Sequence, residues 1–268
     1  MEKYSYLIPV HDRLKLLLDK LFEFSEKAGV QCIIAYGTLL GAARHQDIIP
    51  WDDDVDVVML REDYKRFIKY FSETDTGEYK LSCLEIDNSM SLFAKFVKTE
   101  GDEDLRQFFT HPDGLCIDIF PLDEAFGSHN VFQRINEMRI RTLKRAVSSK
   151  RKLKNPNYRE SVCKHFIRSM LVIPFLFFSD ESLMKKAIRL CQKYNGTGAP
   201  EYVFYGRVKP MKYEHQGKEN WIPTTKLLLG EKAYTAPGKY KEVLNVCYGD
   251  NWTEIPPEHL RTSHEHSD

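Results

Sequence analysis

The 268-residue chain has no net formal charge at pH 7, no Cys-x-x-Cys pair, no internal repeat and no low-complexity segment. Each absence removes a class of function. Balanced charge provides no bulk attraction for a polyanion, so no nucleic-acid partner is expected. The six cysteines, at 32, 83, 116, 163, 191 and 247, are scattered, and several sit in apolar strand-like runs. That suits buried thiols in a reducing compartment better than a disulfide framework. No apolar run reaches the roughly 20 residues that a membrane span needs. The first twelve residues lack the basic start and apolar stretch of a secretory signal. The expected location is therefore cytoplasmic, with peripheral contact at the inner face of the cell membrane as an added option.

The informative feature is a concentration of acid. Pro50-Trp51-Asp52-Asp53-Asp54-Val55-Asp56-Val57-Val58 places four carboxylates within five residues, directly ahead of an apolar segment. Such charges repel unless cations or water separate them. Hard oxygen donors at this density suit Mg²⁺ (or Mn²⁺), which usually takes one or two carboxylates together with substrate phosphates. On a strand, residues i and i+2 share a face. Asp52, Asp54 and Asp56 would then project together, with Val55 and Val57 opposite. The bland reading is a solvated acidic turn, which Val-Asp-Val-Val-Met-Leu argues against because it reads as a buried strand.

Upstream, Val30-Gln31-Cys32-Ile33-Ile34-Ala35-Tyr36 reads as a buried strand and Leu39 to Arg44 as a short helix, with Gly37-Thr38 between them. Glycine permits close approach, a hydroxyl donates, and a helix N-terminus favours anions. Gly37, Thr38 and Arg44 are thus candidates for a phosphate cradle.

Tyr36-Gly37-Thr38-Leu39-Leu40-Gly41-Ala42-Ala43-Arg44-His45, followed by Ile49-Pro50-Trp51-Asp52-Asp53-Asp54-Val55-Asp56, resembles the signature of the LicD family. That family includes bacterial phosphocholine transferases and, more distantly, fukutin and fukutin-related protein. Gly114-Leu115-Cys116-Ile117-Asp118-Ile119-Phe120-Pro121-Leu122-Asp123 resembles a second family block. A looser third comprises Ala236-Pro237, Val246 to Trp252, Pro256-Pro257 and His264. The resemblance implies a nucleotidyltransferase-type fold and Mg²⁺-dependent transfer of phosphocholine from CDP-choline to a hydroxyl of a teichoic-acid or lipopolysaccharide type precursor. Transfer of ribitol or glycerol phosphate from its CDP donor, or nucleotidyl transfer, would use the same residues. A catalytically inactive, membrane-associated glycan-binding protein is the alternative from another class. The resemblance implies Gly37 and Thr38 for the phosphate turn and Asp54 and Asp56 for the metal pair, with Asp52 as a further ligand. Asp118 would be the third carboxylate, and Asp118 or Asp56 the general base.

The remaining pattern is α+β; with the nucleotidyltransferase-type fold that the resemblance implies, the expected architecture is a mixed β-sheet core flanked by helices, with a helical basic and apolar insertion and an aromatic-rich C-terminal part. Leu14, Leu17, Leu18, Leu21 and Phe22 keep the stripe of an amphipathic helix that Gly29 would end. Arg61 to Ser72 reads as a helix with Tyr64, Phe67, Ile68 and Phe71 inward. Tyr79 to Ile86, Leu92 to Lys98 and Leu115 to Phe120 read as strands, and Gly101 to Gly114 as a loop over the site. The expected division is a catalytic core at 1–128, a helical subdomain at 129–198 and a C-terminal substrate-binding part at 199–268 that completes the same domain.

Between Val131 and Met170 stand twelve Lys or Arg against two Glu, and the apolar run Met170 to Phe178 follows. A basic stretch ahead of a short aromatic-rich apolar run is the form of an interfacial membrane segment. A helical subdomain with a solvated basic face fits equally, as does a site for an anionic acceptor, so peripheral membrane contact through residues 131–178 is one of three readings. Trp221, Tyr234, Tyr240, Tyr248 and Trp252, with Trp51, are candidates for a substrate wall suited to a quaternary ammonium; the bland reading is core. Lys95 is a candidate partner for donor phosphates, with a surface lysine as the bland reading. His259, His264 and His266 read as a tail, with His264 a phosphate contact by resemblance.

Overall fold

The computed structural model describes residues 2–155, 158–206 and 213–261. Helix α1 (Ile8–Lys27) buries Leu14, Leu17, Leu18 and Leu21 of the expected stripe and Val10 besides, leaves Phe22 half-buried, and Gly29 at φ 64° turns the chain out of it. Strand β1 (Ile33–Ile34) is far shorter than the apolar run 30–36 suggests. Ala35 is still extended and donates its N–H to the Asp56 carbonyl, but its own carbonyl accepts from Leu39 N–H and starts helix α2 (Tyr36–His45). Gly37 and Thr38 therefore lie in the first turn of α2 rather than between two elements.

Strand β2 (Asp56–Leu60) leads into α3 (Arg61–Glu73), which buries Tyr64, Phe67, Ile68 and Phe71 as its spacing requires. Strand β3 (Tyr79–Ser82) stops four residues earlier than expected. The Cys83 carbonyl gathers the N–H groups of Ile86, Asp87 and Ser89 and winds a single helical turn, α4 (Leu84–Asp87). Strand β4 (Ala94–Lys98) follows. Strand β5 (Cys116–Ala125) is longer than expected, because its second half finds its own partner further along the chain. The segment 101–114 contains a 3-10 turn at Glu103–Phe108 that packs on α1, and buried Asp102 receives Arg13 and Lys98, both at 3.3 Å. Its other end also reaches the sheet, where Thr110 Oγ1 lies 3.0 Å from Cys116 Sγ.

The sheet order is β1-β2-β5-β4-β3, with β2 and β5 parallel and the other neighbours antiparallel. Apolar burial on both faces of β2 fits its central, parallel position. Helices α5 (Val131–Lys154), α6 (Val162–Val172) and α7 (Asp180–Cys191) form the basic insertion. The chain then returns as β6 (Glu201–Val203), pairing with the end of β5, and β7 (Gln216–Gly217), pairing with β6. After the short α8 (Lys218–Trp221), the hairpin β8 (Thr224–Leu229) and β9 (Lys232–Pro237) packs on α2 and β1, and α9 (Tyr240–Tyr248) packs on α2. One hydrophobic cluster runs from Leu7 to Leu244.

A buried polar network ties α5 to the returning strands. His215 lies 2.8 Å from Glu137 and 2.7 Å from Glu201, and Gln133 bonds both Glu137 and the Tyr205 hydroxyl. Burial opposes a charge on His215, but the two carboxylates, Glu137 foremost, outweigh it and hold the imidazole above its ordinary pKa. The folded state therefore binds this proton more tightly than the unfolded chain. Its contribution is complete below about pH 6.5 and is lost as pH rises through the raised folded value. We expect the urea midpoint of the wild type to fall, as pH rises above about 6.5, more steeply than that of His215→Gln. Parallel pH profiles would remove His215 as the source.

Candidate functional site

The register of the sheet places Asp56 of β2 opposite Asp118 of β5, and Asp118 opposite Lys95 of β4. Paired residues on adjacent strands share a face and stand about 5 Å apart, so these three side chains form one row. Lys95 Nζ lies 2.5 Å from Asp118 Oδ1 and 3.7 Å from Cys116 Sγ. Burial works against the Lys95 charge, but the Cys116 sulfur and the Asp118 carboxylate outweigh it and raise its pKa.

Helix α2 presents its N-terminus to the start of β2. The N–H groups of Tyr36, Gly37 and Thr38 precede its first intrahelical bond, from Leu39 to Ala35, so the positive end of the helix dipole is directed there. The Thr38 hydroxyl accepts the Asp56 N–H at 2.8 Å and fixes where the row begins. A Cβ on Gly37 would come within 2.9 Å of Asp52 Oδ2. The Asp52 carboxylate thus reaches the helix start only because residue 37 lacks a side chain.

Asp52 and Asp54 are not on β2, which begins at Asp56; the strand alternation expected to align all three stops one residue short of Val55. Asp52 is held instead by a turn: its N–H donates to the Ile49 carbonyl at 2.9 Å, and its carbonyl lies 2.7 Å from His11 Nε2. Val55 joins the ladder through its carbonyl, which accepts the Asp118 N–H at 3.1 Å. Asp53, which the alternation set aside, is buried, whereas Asp52 and Asp54 are half-buried. Among the described residues, no group of three or more His, Cys, Asp or Glu is placed to hold a metal ion. What the strands do bring together is a pair, Asp56 and Asp118, with Asp54 two residues before the first.

A second cluster gathers at the far end of α2. The Arg44 guanidinium donates to the carbonyls of Trp252 and Glu254, both at 3.1 Å, and to His45 Nε2 at 3.0 Å. The guanidinium groups of Arg44 and Arg261 lie 5.8 and 4.9 Å from the Trp51 ring centroid. Trp252 Nε1 donates to Asn245 Oδ1 at 2.7 Å, and Tyr248 is packed against the core. In this arrangement Arg44 clasps the C-terminal turn, about two helical turns from Gly37. Trp221 and Tyr234 are buried, with the Tyr234 hydroxyl on Asp19 at 2.6 Å, so the core reading holds for both. His264 lies outside the described residues.

The structure adds a wall that the motifs did not point out. Tyr36 has φ 49°, uncommon for a bulky residue. Its hydroxyl donates to Glu214 Oε2 at 3.0 Å, and its ring stands edge-on to Phe120 at 5.4 Å. Phe120 packs on Phe93 at 4.8 Å, and Lys95 Nζ lies 5.5 Å from the Phe93 centroid. Phe120 is two residues after Asp118 and Phe93 two before Lys95, so the period of two could have placed both on the site face. Glu214 carried no such signal, lying 178 residues from Tyr36.

Comparison with known proteins gives a consistent family. Residues 29–175 match the model described as LicD/FKTN/FKRP, nucleotidyltransferase domain. The lipopolysaccharide cholinephosphotransferase LicD of Haemophilus influenzae is 44% identical over 69 residues, 26% of this chain and 26% of that protein. An uncharacterized protein of Rickettsia typhi is 30% identical over 128 residues, 43% of this chain and 40% of its own length. The human ribitol 5-phosphate transferase FKRP is 60% identical over 38 residues, 14% of this chain and 8% of the relative. Each alignment thus covers less than half of the relative.

Proposed function

We propose that this chain, which belongs to the LicD/FKTN/FKRP family through its nucleotidyltransferase domain, transfers a phosphorylated alcohol from a CDP-linked donor to a glycan hydroxyl. The observation that carries the reading is the row Asp56–Asp118–Lys95 on three adjacent strands, beside the N-terminus of α2. The donor we favour is CDP-choline, and the acceptor a teichoic-acid or lipopolysaccharide type precursor, in line with the Haemophilus relative. The short FKRP match supports ribitol phosphate as the second reading.

Mg²⁺ commonly binds through one or two carboxylates and substrate phosphates rather than through an all-protein cage. The Asp56–Asp118 pair, with Asp54 and Asp52 beside it, fits that chemistry. When bound, the ion would supply charge neutralisation for the donor's pyrophosphate. The chain's own groups do the rest. The α2 N-terminus at Gly37 and Thr38 attracts donor phosphate. Lys95 provides a further cation and orients Asp118, which stands ready to accept the proton of the attacking hydroxyl, with Asp56 as the other base. Attack occurs in line with departing CMP, so positioning and charge stabilisation dominate. A quaternary ammonium would find the half-buried ring of Phe93, backed by the buried Phe120 and Tyr36.

³¹P NMR of the protein with Mg²⁺, a glycan acceptor and CDP-choline, CDP-ribitol or CDP-glycerol tests this. CMP release with a new phosphodiester signal from CDP-choline is the expected result. Consumption of another CDP donor alone would replace the alcohol and keep the site. No consumption of any would leave nucleotidyl transfer or a glycan-binding role.

Gly37→Ala offers a finer test. The added methyl displaces the Asp52 carboxylate from the helix start, and displacements of about 1 Å can cost roughly a hundredfold in rate. We expect kcat/KM to fall by about that factor with little change in melting temperature. Near-normal turnover would remove Asp52 from the site.

A further inference from the structure

Helix α6 is amphipathic the wrong way round for a packed helix. One polar residue, Arg168, is turned to the protein: it donates to Ser149 Oγ at 3.2 Å, to both Glu160 oxygens at 2.8 Å and to the Tyr158 hydroxyl at 3.1 Å, while Lys164 and His165 stay exposed. Its apolar side faces out. Phe166, Ile167, Met170 and Leu171 follow an i, i+1, i+4, i+5 spacing, which puts them on one face, and each is more than half exposed. The turn that follows continues the surface, with Leu176 at 58% and Phe177 at 97% exposed. The outward direction does not come from a loose segment. Lys150 donates to the Phe178 carbonyl at 2.5 Å and pairs with Asp180 at 2.8 Å, and Val172 is buried. The segment is thus tied by polar contacts on one side and left apolar on the other.

Charge identifies what covers it. Between Lys150 and Arg168 the chain carries seven Lys or Arg and one Glu, and that one, Glu160, is already paired with Arg168. Arg151, Lys152 and Lys154 lie in the last turn of α5, where all three are exposed, and Lys164 is exposed on α6. An apolar face bordered by excess positive charge is complementary to an anionic lipid surface. Among the described residues no helix is long and apolar enough to cross a membrane. At about 1.5 Å per residue, the 11 residues of α6 reach only some 17 Å, about half of a bilayer's hydrocarbon core.

We propose that α6 and the turn through Phe178 lie in the plane of an anionic bilayer, with the α5 terminus supplying headgroup contacts. The proposal concerns residues 162–178 within the broader segment 131–178 and holds whatever donor the enzyme uses.

Flotation with vesicles of phosphatidylcholine, with and without phosphatidylglycerol, tests it, using wild type, Leu171→Glu/Phe177→Glu and Arg151→Glu/Lys154→Glu. The expected result is flotation on anionic vesicles at least tenfold above neutral ones, lost by at least tenfold in the apolar variant and reduced in the charge variant. Because the replaced side chains are exposed, circular dichroism melting should be unchanged. Phe177→Trp supplies a local readout: the fluorescence of this variant should shift to the blue and be quenched by brominated lipid. Equal flotation of wild type and apolar variant, or fluorescence of Phe177→Trp that vesicles leave untouched, would overturn the proposal. So would a wild-type dimer in light scattering that the apolar variant makes monomeric, since the face would then cover a second copy.

Discussion

Replacing Asp118 with asparagine should lower turnover of the CDP-linked donor by about a thousandfold or more, the scale on which removed transition-state groups register, while the protein still melts close to the wild-type temperature. Asp118 occupies the middle of the row, bonded to Lys95 on one side and aligned with Asp56 on the other. Its side chain is 24% exposed, so water still reaches Lys95 when the charge is removed, and the loss stays below the roughly 3–5 kcal/mol of breaking a fully buried pair. Asparagine keeps the shape and removes the charge, the basicity and the ability to bind a hard cation as an anion. Asp56→Asn should behave alike. Retained turnover in either variant would end the assignment, and a variant that melts many degrees lower would recast the residue as structural.

Asp123→Ala should give the opposite phenotype. Asp123 closes the same sequence block, five residues after Asp118, yet it is only 1% exposed. Arg61 grips it with two bonds, at 2.8 and 2.6 Å, and Asn195 Nδ2 adds a third at 2.8 Å. Burial works against the Arg61 charge, and Asp123 more than restores it. Removing the carboxylate leaves a buried guanidinium without its partner, which typically costs about 3–5 kcal/mol. In a chain of this size that is a fall of roughly 10 °C in melting temperature. A drop of only a degree or two would show that the pair is not holding α3 to β5. Asp123→Leu/Arg61→Met should recover part of the loss, because replacing both charges with apolar groups removes the unpaired cation.

The two aspartates separate what sequence patterns convey from what they do not. Acid content, the Gly-Thr pair and the block around Asp118 were legible because they are local and chemically unusual. The amphipathic helices α1 and α3 were legible because their apolar period of 3.6 reflects one buried face, which a window of a dozen residues contains. Asp123 looked like Asp118 in the sequence; only its contacts with Arg61 and Asn195, 62 and 72 residues away, show that it is structural. The strand expected at 30–36 failed for a related reason. An apolar run serves a buried strand or a buried helix equally, and the choice at Ala35 was made by a hydrogen bond from Leu39 and a partner carbonyl on Asp56.

The chemistry of the chain was therefore set by its sequence: a carboxylate-rich segment beside a Gly-Thr turn, an α+β framework, and a basic segment ending in an apolar one. Tertiary structure decided which of those groups meet. Strand register put Lys95 on Asp118 and Asp118 beside Asp56, and a helix N-terminus faced Asp52 across an empty Cβ position. Arg44 was drawn to the C-terminal turn, and α6 kept its ion pair inside and its phenylalanine outside. Register and the direction a helix face points depend on contacts between residues far apart in the chain, and those energies are not written in any short stretch of it.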